Sequence, residues 1–75
     1  MKKKDISIPY IKFESIQDIE EIVLFCSGEK WRYISEGELL TIKTRYESID
    51  VWLRGCIVLL HNKPVFLNKE QFNAL

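Results

Sequence analysis

The sequence predicts an α+β domain that is mainly antiparallel β. The expected architecture is a meander of about five short strands, one packed helix (residues 45-54), and short helical turns near 15-21 and 69-74. Three observations lead there. Short β-branched and aromatic runs are punctuated by Ser27-Gly28 and Glu36-Gly37. Thr44 and Glu47 have capping-box spacing ahead of apolar residues at helical intervals. Hydrophobic residues make up 47% and charged residues 29%, a globular balance rather than a disordered one.

The elements follow in order. Ile6, Ile8 and Tyr10 alternate with Ile11 and Phe13 across an extended segment. Pro9 has no N–H to give a ladder, so this segment is an edge strand or a strand start. Ser15 and Asp18 open a helical turn, and Ile16, Ile19 and Ile22 recur at threes along it. Ile22 to Cys26 is β-branched and aromatic and predicts a core strand. Trp31 and Tyr33 alternate with Arg32 and Ile34 in the next strand, and Leu39 to Lys43 form a third. Tyr46, Ile49, Trp52, Leu53 and Cys56 fit a helix, with Gly55 where a left-handed C-cap belongs. Cys56 to Leu60 is a wholly apolar run, a buried strand. His61-Asn62-Lys63-Pro64 reads as a loop and Val65 to Leu67 as apolar again. Asn68 and Gln71 cap a last turn carrying Phe72 and Leu75.

Seventy-five residues make one domain, 1-75, with a thin stability margin. The formal net charge is zero, so a strongly basic composition does not point to nucleic acid, although a basic face remains open. The lysines at the start are followed by an alternating stretch, not the apolar core of a signal peptide, and no run approaches a membrane span. A cytoplasmic location is therefore expected. Cys26 and Cys56 are expected to be buried and reduced.

Little in the chain points to an enzyme. His61 is the single imidazole, and it reads more readily as a strand-end residue bonded to backbone than as a catalytic group. The three glycines are scattered at turns and form no phosphate-cradling loop. No catalytic residues, metal ligands or cofactors are assigned. Binding has more behind it. Lys30, Trp31 and Arg32 place two cations and an indole beyond a turn, which suits phosphates and stacking. The same alternation also gives a core Trp with a solvated strand face. Asn62 and Lys63 follow the histidine. An Asn amide can bond a base edge, and Asn before Lys-Pro is also an ordinary turn residue.

The order of elements resembles the LytTR-type DNA-binding domain of bacterial response regulators and stand-alone transcription factors. Ile16-Gln17-Asp18-Ile19 is similar to its short turn before a long strand. Ile22 to Gly28 is similar to its strand ending in Ser-Gly. Trp31 to Ile34 with Glu36-Gly37-Glu38 is similar to its next strand and turn, Thr44 to Leu53 to its helix, and Leu60-His61-Asn62 to its entry into a strand that ends here at Asn68. The resemblance implies double-stranded DNA as partner, with Lys30, Trp31, Arg32, Asn62 and Lys63 as contacts. Lys30, Arg32 and Lys63 would meet phosphates, and Asn62 a base edge. Three departures stand against it. The spacing from His61 to Asn68 is one residue longer than usual and contains Pro64. Leu59 and Leu60 stand where an Arg is common. Family domains also continue past the point where this chain ends at Leu75, into a hairpin with a further basic contact. On that reading an open sheet edge would seek a partner. The alternative is a small interaction or dimerisation module that binds a partner protein, or a second copy, through that edge without DNA.

Overall fold

The computed structural model describes Lys2–Lys3 and residues 8–75. Among the described residues there are seven strands: β1 (Lys2–Lys3), β2 (Pro9–Lys12), β3 (Gly28–Ile34), β4 (Leu39–Thr44), β5 (Ser48–Trp52), β6 (Cys56–Leu60) and β7 (Lys63–Leu67). A 3-10 turn (Ile16–Asp18) leads into helix α1 (Ile19–Phe25), and α2 (Lys69–Asn73) ends the chain. Every pairing is antiparallel, in a four-stranded sheet ordered β1-β2-β6-β7 and a three-stranded sheet ordered β3-β4-β5. The class is therefore α+β and mainly β. Part of the first expected strand, Ile6 included, lies outside the described residues. Pro9 begins β2, where its missing donor costs least, but β2 lies between β1 and β6 rather than at an edge.

Register explains why β6 is apolar throughout. Ile11, Ile57 and Phe66 share one row across the four-stranded sheet; Tyr10, Val58 and Val65 share the next, on the opposite face. The first face joins Phe13, Ile19, Ile22, Cys26, Leu40, Ile42, Ile49 and Val51 in the main core. The second carries Cys56 and Val58 against Phe72 of α2. A strand covered on both faces has no polar side to present.

Two expected elements change type. The Ile22–Cys26 segment is helical, not a strand. Asp18 Oδ2 accepts hydrogen bonds from the amides of Glu14 and Ser15 at 2.9 and 3.0 Å and fixes the entry. Ile19, Ile22 and Cys26 then fall on the buried face, with Leu24 79% exposed on the other. Burial of the three-and-four spacing overrides the local β preference of Ile-Val-Leu-Phe.

The helix expected over residues 45-54 is strand β5. Its burial alternates, with Ile49 and Val51 buried and Ser48, Asp50 and Trp52 exposed. The capping residues act in a turn instead. The Thr44 hydroxyl accepts from the amides of Tyr46 (3.2 Å) and Glu47 (3.1 Å), and the Thr44 amide donates to the Glu47 carbonyl at 2.8 Å. This closes the β4–β5 connection. Gly55 is not a left-handed cap; Arg54 takes that conformation at φ 75°. Glycine is required at 55 because a Cβ there would overlap the Phe66 ring and stand 3.1 Å from the Leu67 carbonyl oxygen.

Two expected boundaries tighten. Only His61 and Asn62 form the β6–β7 turn, at φ 54° and 64°, the paired left-handed geometry of a two-residue hairpin. Lys63 and Pro64 belong to β7, which has a single strand neighbour and so tolerates a proline. The last helical turn is as expected: Asn68 Oδ1 accepts from the Gln71 amide at 2.8 Å, Gln71 Oε1 accepts from the Asn68 amide at 2.9 Å, and Phe72 is buried.

In a strand, Ile22 and Leu24 would share a face; in the helix they do not. Replacing Ile22 with Ala is therefore expected to cost about 2–5 kcal/mol, and Leu24→Ala less than about 0.5 kcal/mol. Urea denaturation of the two variants reads the difference. Comparable losses at both positions would restore the strand.

Candidate nucleic-acid interface

Three turns meet at one end of the molecule. Cys26-Ser27 after α1, Thr44 to Glu47 between β4 and β5, and Asn62-Lys63-Pro64 at the β6–β7 hairpin line a common cleft of about 550 Å³. The connection after α1 and the hairpin after β6, far apart in sequence, thus lie side by side. Each is held by its own geometry. Ser27 is left-handed at φ 57°, and its amide donates to the Leu24 carbonyl at 3.1 Å. The hydroxyl of Thr44 organises the second turn, and the paired left-handed residues His61 and Asn62 make the third.

The adjoining sheet adds charge. Lys30 pairs with Lys43 and Arg32 with Thr41, on the face opposite the buried Leu40 and Ile42. This solvent face presents Lys30, Arg32 and Lys43, with Asp50 engaged by the Thr41 hydroxyl at 3.0 Å. Lys30 and Lys43 are the charged pair nearest the Gly28–Thr44 end, beside the cleft. Arg45 and Lys63 line the cleft itself, with Glu47 as the lining carboxylate. At the far end of the same sheet, the β3–β4 turn carries Glu36 and Glu38. Charge is thus segregated along the sheet although the chain is neutral overall.

The five residues singled out by sequence divide accordingly. Asn62 and Lys63 line the cleft, and Lys30 borders it. Arg32 lies one outward-facing row further along β3. Trp31 faces the other way, paired with Ile42, and is 48% exposed because β3 is an edge strand. It is part packing residue and part open surface. Sequence reasoning missed Lys43, Arg45 and Tyr46 as members of this region. Tyr46 is 86% exposed, with the Arg45 guanidinium carbon 5.9 Å from its ring centroid. The signal that could have found them is the alternation Ile49, Val51, Leu53, which makes residues 45–47 a turn rather than the first turn of a helix.

Other chemistry is sparse here. His61 is exposed, and among the described residues no group of three or more His, Cys, Asp or Glu is placed to hold a metal. Both cysteines are buried, Cys26 as a free thiol. No helix among the described residues is long and apolar enough to cross a membrane. Comparison with protein-family models, with curated proteins and with solved structures gave no match.

Cys26 forms the buried wall of the cleft, and burial pushes its thiol up to about 11. Between its unfolded value near 9 and that raised value, the unfolded chain binds fewer protons than the native one. Native stability therefore falls as pH rises through this window. The fall in unfolding free energy from pH 9 to 11 is expected to be steeper in the wild type than in Cys26→Ala, measured by urea denaturation at each pH. Parallel profiles would show that the thiol is not desolvated.

Proposed function

We propose that this protein binds double-stranded DNA through the three-turn end. Lys30, Lys43, Arg45 and Lys63 would engage phosphates, and Asn62 would reach a base edge. The observation that supports this reading most is the gathering of these cations, from four separate places in the chain, around one cleft while the acids of the β3–β4 turn sit at the opposite end of the sheet. Phosphate contacts need a local excess of cations, here despite Glu47 in the same cleft, more than a basic total. Exposed Tyr46 gives a flat surface for sugar or base contact at the cleft, whereas Trp31 lies on the other face of β3.

A role in transcriptional regulation in the cytoplasm rests on the resemblance of element order to LytTR-type domains. That resemblance is weakened where it places a helix, because residues 48–52 are strand β5. The sheet-edge alternative, in which the protein binds a partner protein or a second copy, meets its own obstacle. At the β3 edge, one of several, Lys30 and Arg32 deter strand-to-strand pairing, and on the β7 edge Pro64 has no donor to give.

Gel-shift titration on mixed-sequence duplex DNA tests the proposal. Retardation is expected at low salt, with log affinity falling against log salt at a slope of roughly −3 to −4 for four phosphate contacts. Arg45→Ala and Lys63→Ala should each flatten that slope by about one and weaken binding to all sequences alike. Asn62→Ala should relax preference at one base pair. Absence of any retardation at low salt would end the DNA reading.

A further inference from the structure

A second cleft, of about 370 Å³, lies at the other end of β6. Its walls come from three regions distant in sequence: Lys12 and Glu14 at the end of β2, Arg54 with Gly55 and Cys56 entering β6, and Lys69, Phe72 and Asn73 of α2. Three cations and one carboxylate line it, a formal charge of +2 within a chain of net zero. We infer that this cleft, framed by Lys12, Arg54 and Lys69, is a binding site for a compact multivalent anion of phosphate chemistry, a diphosphate or a phosphate monoester.

The fold brings the backbones of the three cations to the cleft, Lys69 as the first residue of α2 after the Asn68 cap. Lys12 shares a sheet row with Cys56 and Leu67, on the face covered by α2, and its Nζ lies 5.7 Å from the Phe72 ring centroid. Arg54 is fixed by its left-handed backbone, and its amide donates to the Phe13 carbonyl at 2.7 Å. Its guanidinium bonds Glu38 at 3.3 Å on the solvent side, with the Arg side chain 75% exposed, which leaves donors of the fork for a further acceptor. Among the described residues neither Lys12 nor Lys69 has an ion-pair partner. The buried Phe72 ring forms an apolar wall, and a low-dielectric wall beside a net positive charge concentrates the field. A planar guanidinium with two ammonium groups matches the several oxygens of a phosphate better than a single carboxylate.

The site is separate from the DNA-facing cleft and shares no lining residue with it. Calorimetric titration of the full chain with pyrophosphate at low ionic strength tests it. Saturable one-to-one binding is expected. The Lys12→Gln/Lys69→Gln double variant and Arg54→Gln should each lose at least tenfold in affinity, and Glu20→Gln, on α1 away from both clefts, should bind as the wild type does. Amide shifts on titration should centre on Gly55 and Asn73, not on Ser27 and Asn62. A parallel comparison of 5′-phosphorylated and 5′-hydroxyl oligonucleotides separates the sources. Dependence on the terminal phosphate together with Lys69 assigns a nucleic-acid end, and binding of pyrophosphate alone assigns a free phosphorylated metabolite. No saturable heat at roughly millimolar ligand, or equal affinity in the folded Lys12→Gln/Lys69→Gln variant, would overturn the assignment.

Discussion

The burial of β6 on both faces is the constraint on which the rest of the structure depends. One strand of five residues must supply Ile57 to the core shared with α1 and the three-stranded sheet, and Cys56 and Val58 to the layer under α2. This permits no polar position until Leu60 gives way to the His61-Asn62 turn. It also demands that both of its hydrogen-bonding edges be occupied, by β2 and β7, because an unpaired backbone group in so enclosed a place would cost about 1–3 kcal/mol. A chain this small has room for one such strand. The other strands of known burial can each afford an exposed or half-exposed row.

The ends of that strand are where the fold leaves space. At each end the chain has to turn sharply out of the core, and the backbone takes left-handed conformations to do so. Five non-glycine residues have positive φ among the described residues: Ser27, Glu38, Arg54, His61 and Asn62. Ser27 and Asn62 line one cleft, with His61 beside them; Arg54 lines the other and is bonded to Glu38. No described glycine adopts such a φ. Gly28 and Gly55 stand instead where a side chain would collide, with Ile42 and with Phe66, while Gly37 faces open space. A left-handed residue with a side chain costs roughly 1–2 kcal/mol, less for Asn. Side chains are thus kept at the turns that frame the clefts despite that cost, a pattern associated with sites rather than with plain connections.

Much of the frame was legible in the sequence, and the parts that were not share one cause. The apolar run at Cys56 to Leu60, the Glu36-Gly37 turn and the Asn68-Gln71 cap each carry their own local signal, and each is as read. Ile22 to Cys26 and residues 45-54 carry two signals at once. Ile19, Ile22 and Cys26 obey helical spacing while their neighbours favour strand; Ile49, Val51 and Leu53 alternate while Tyr46, Ile49 and Leu53 also fit a helix. Thr44 and Glu47 are no arbiter, because the hydroxyl that caps a helix closes a turn by the same bonds. What decided each case was the facing surface. The helix had a sheet to lie against, and β5 had the open edge of β4.

The same ambiguity bears on the candidate interface. Lys30, Arg32, Asn62 and Lys63 were visible as polar residues beside turns, but their proximity depends on β5 being a strand. A strand over residues 48–52 has to enter from a turn at 45–47, on the same side as the β6–β7 hairpin, and so delivers Arg45 and Tyr46 beside Asn62. A helix there would have carried Arg45 into a first turn and pointed it away from the sheet end. Charge segregation follows from the same step: strand pairing sets Lys43 opposite Lys30 and leaves Glu36 and Glu38 at the other turn. Two like charges across a strand pair are unfavourable by themselves, by roughly 0.2–1 kcal/mol. In the proposed DNA-binding reading, a phosphate beside Lys30 and Lys43 would relieve that repulsion, so the register that forms the main core also sets the charge of the cleft end.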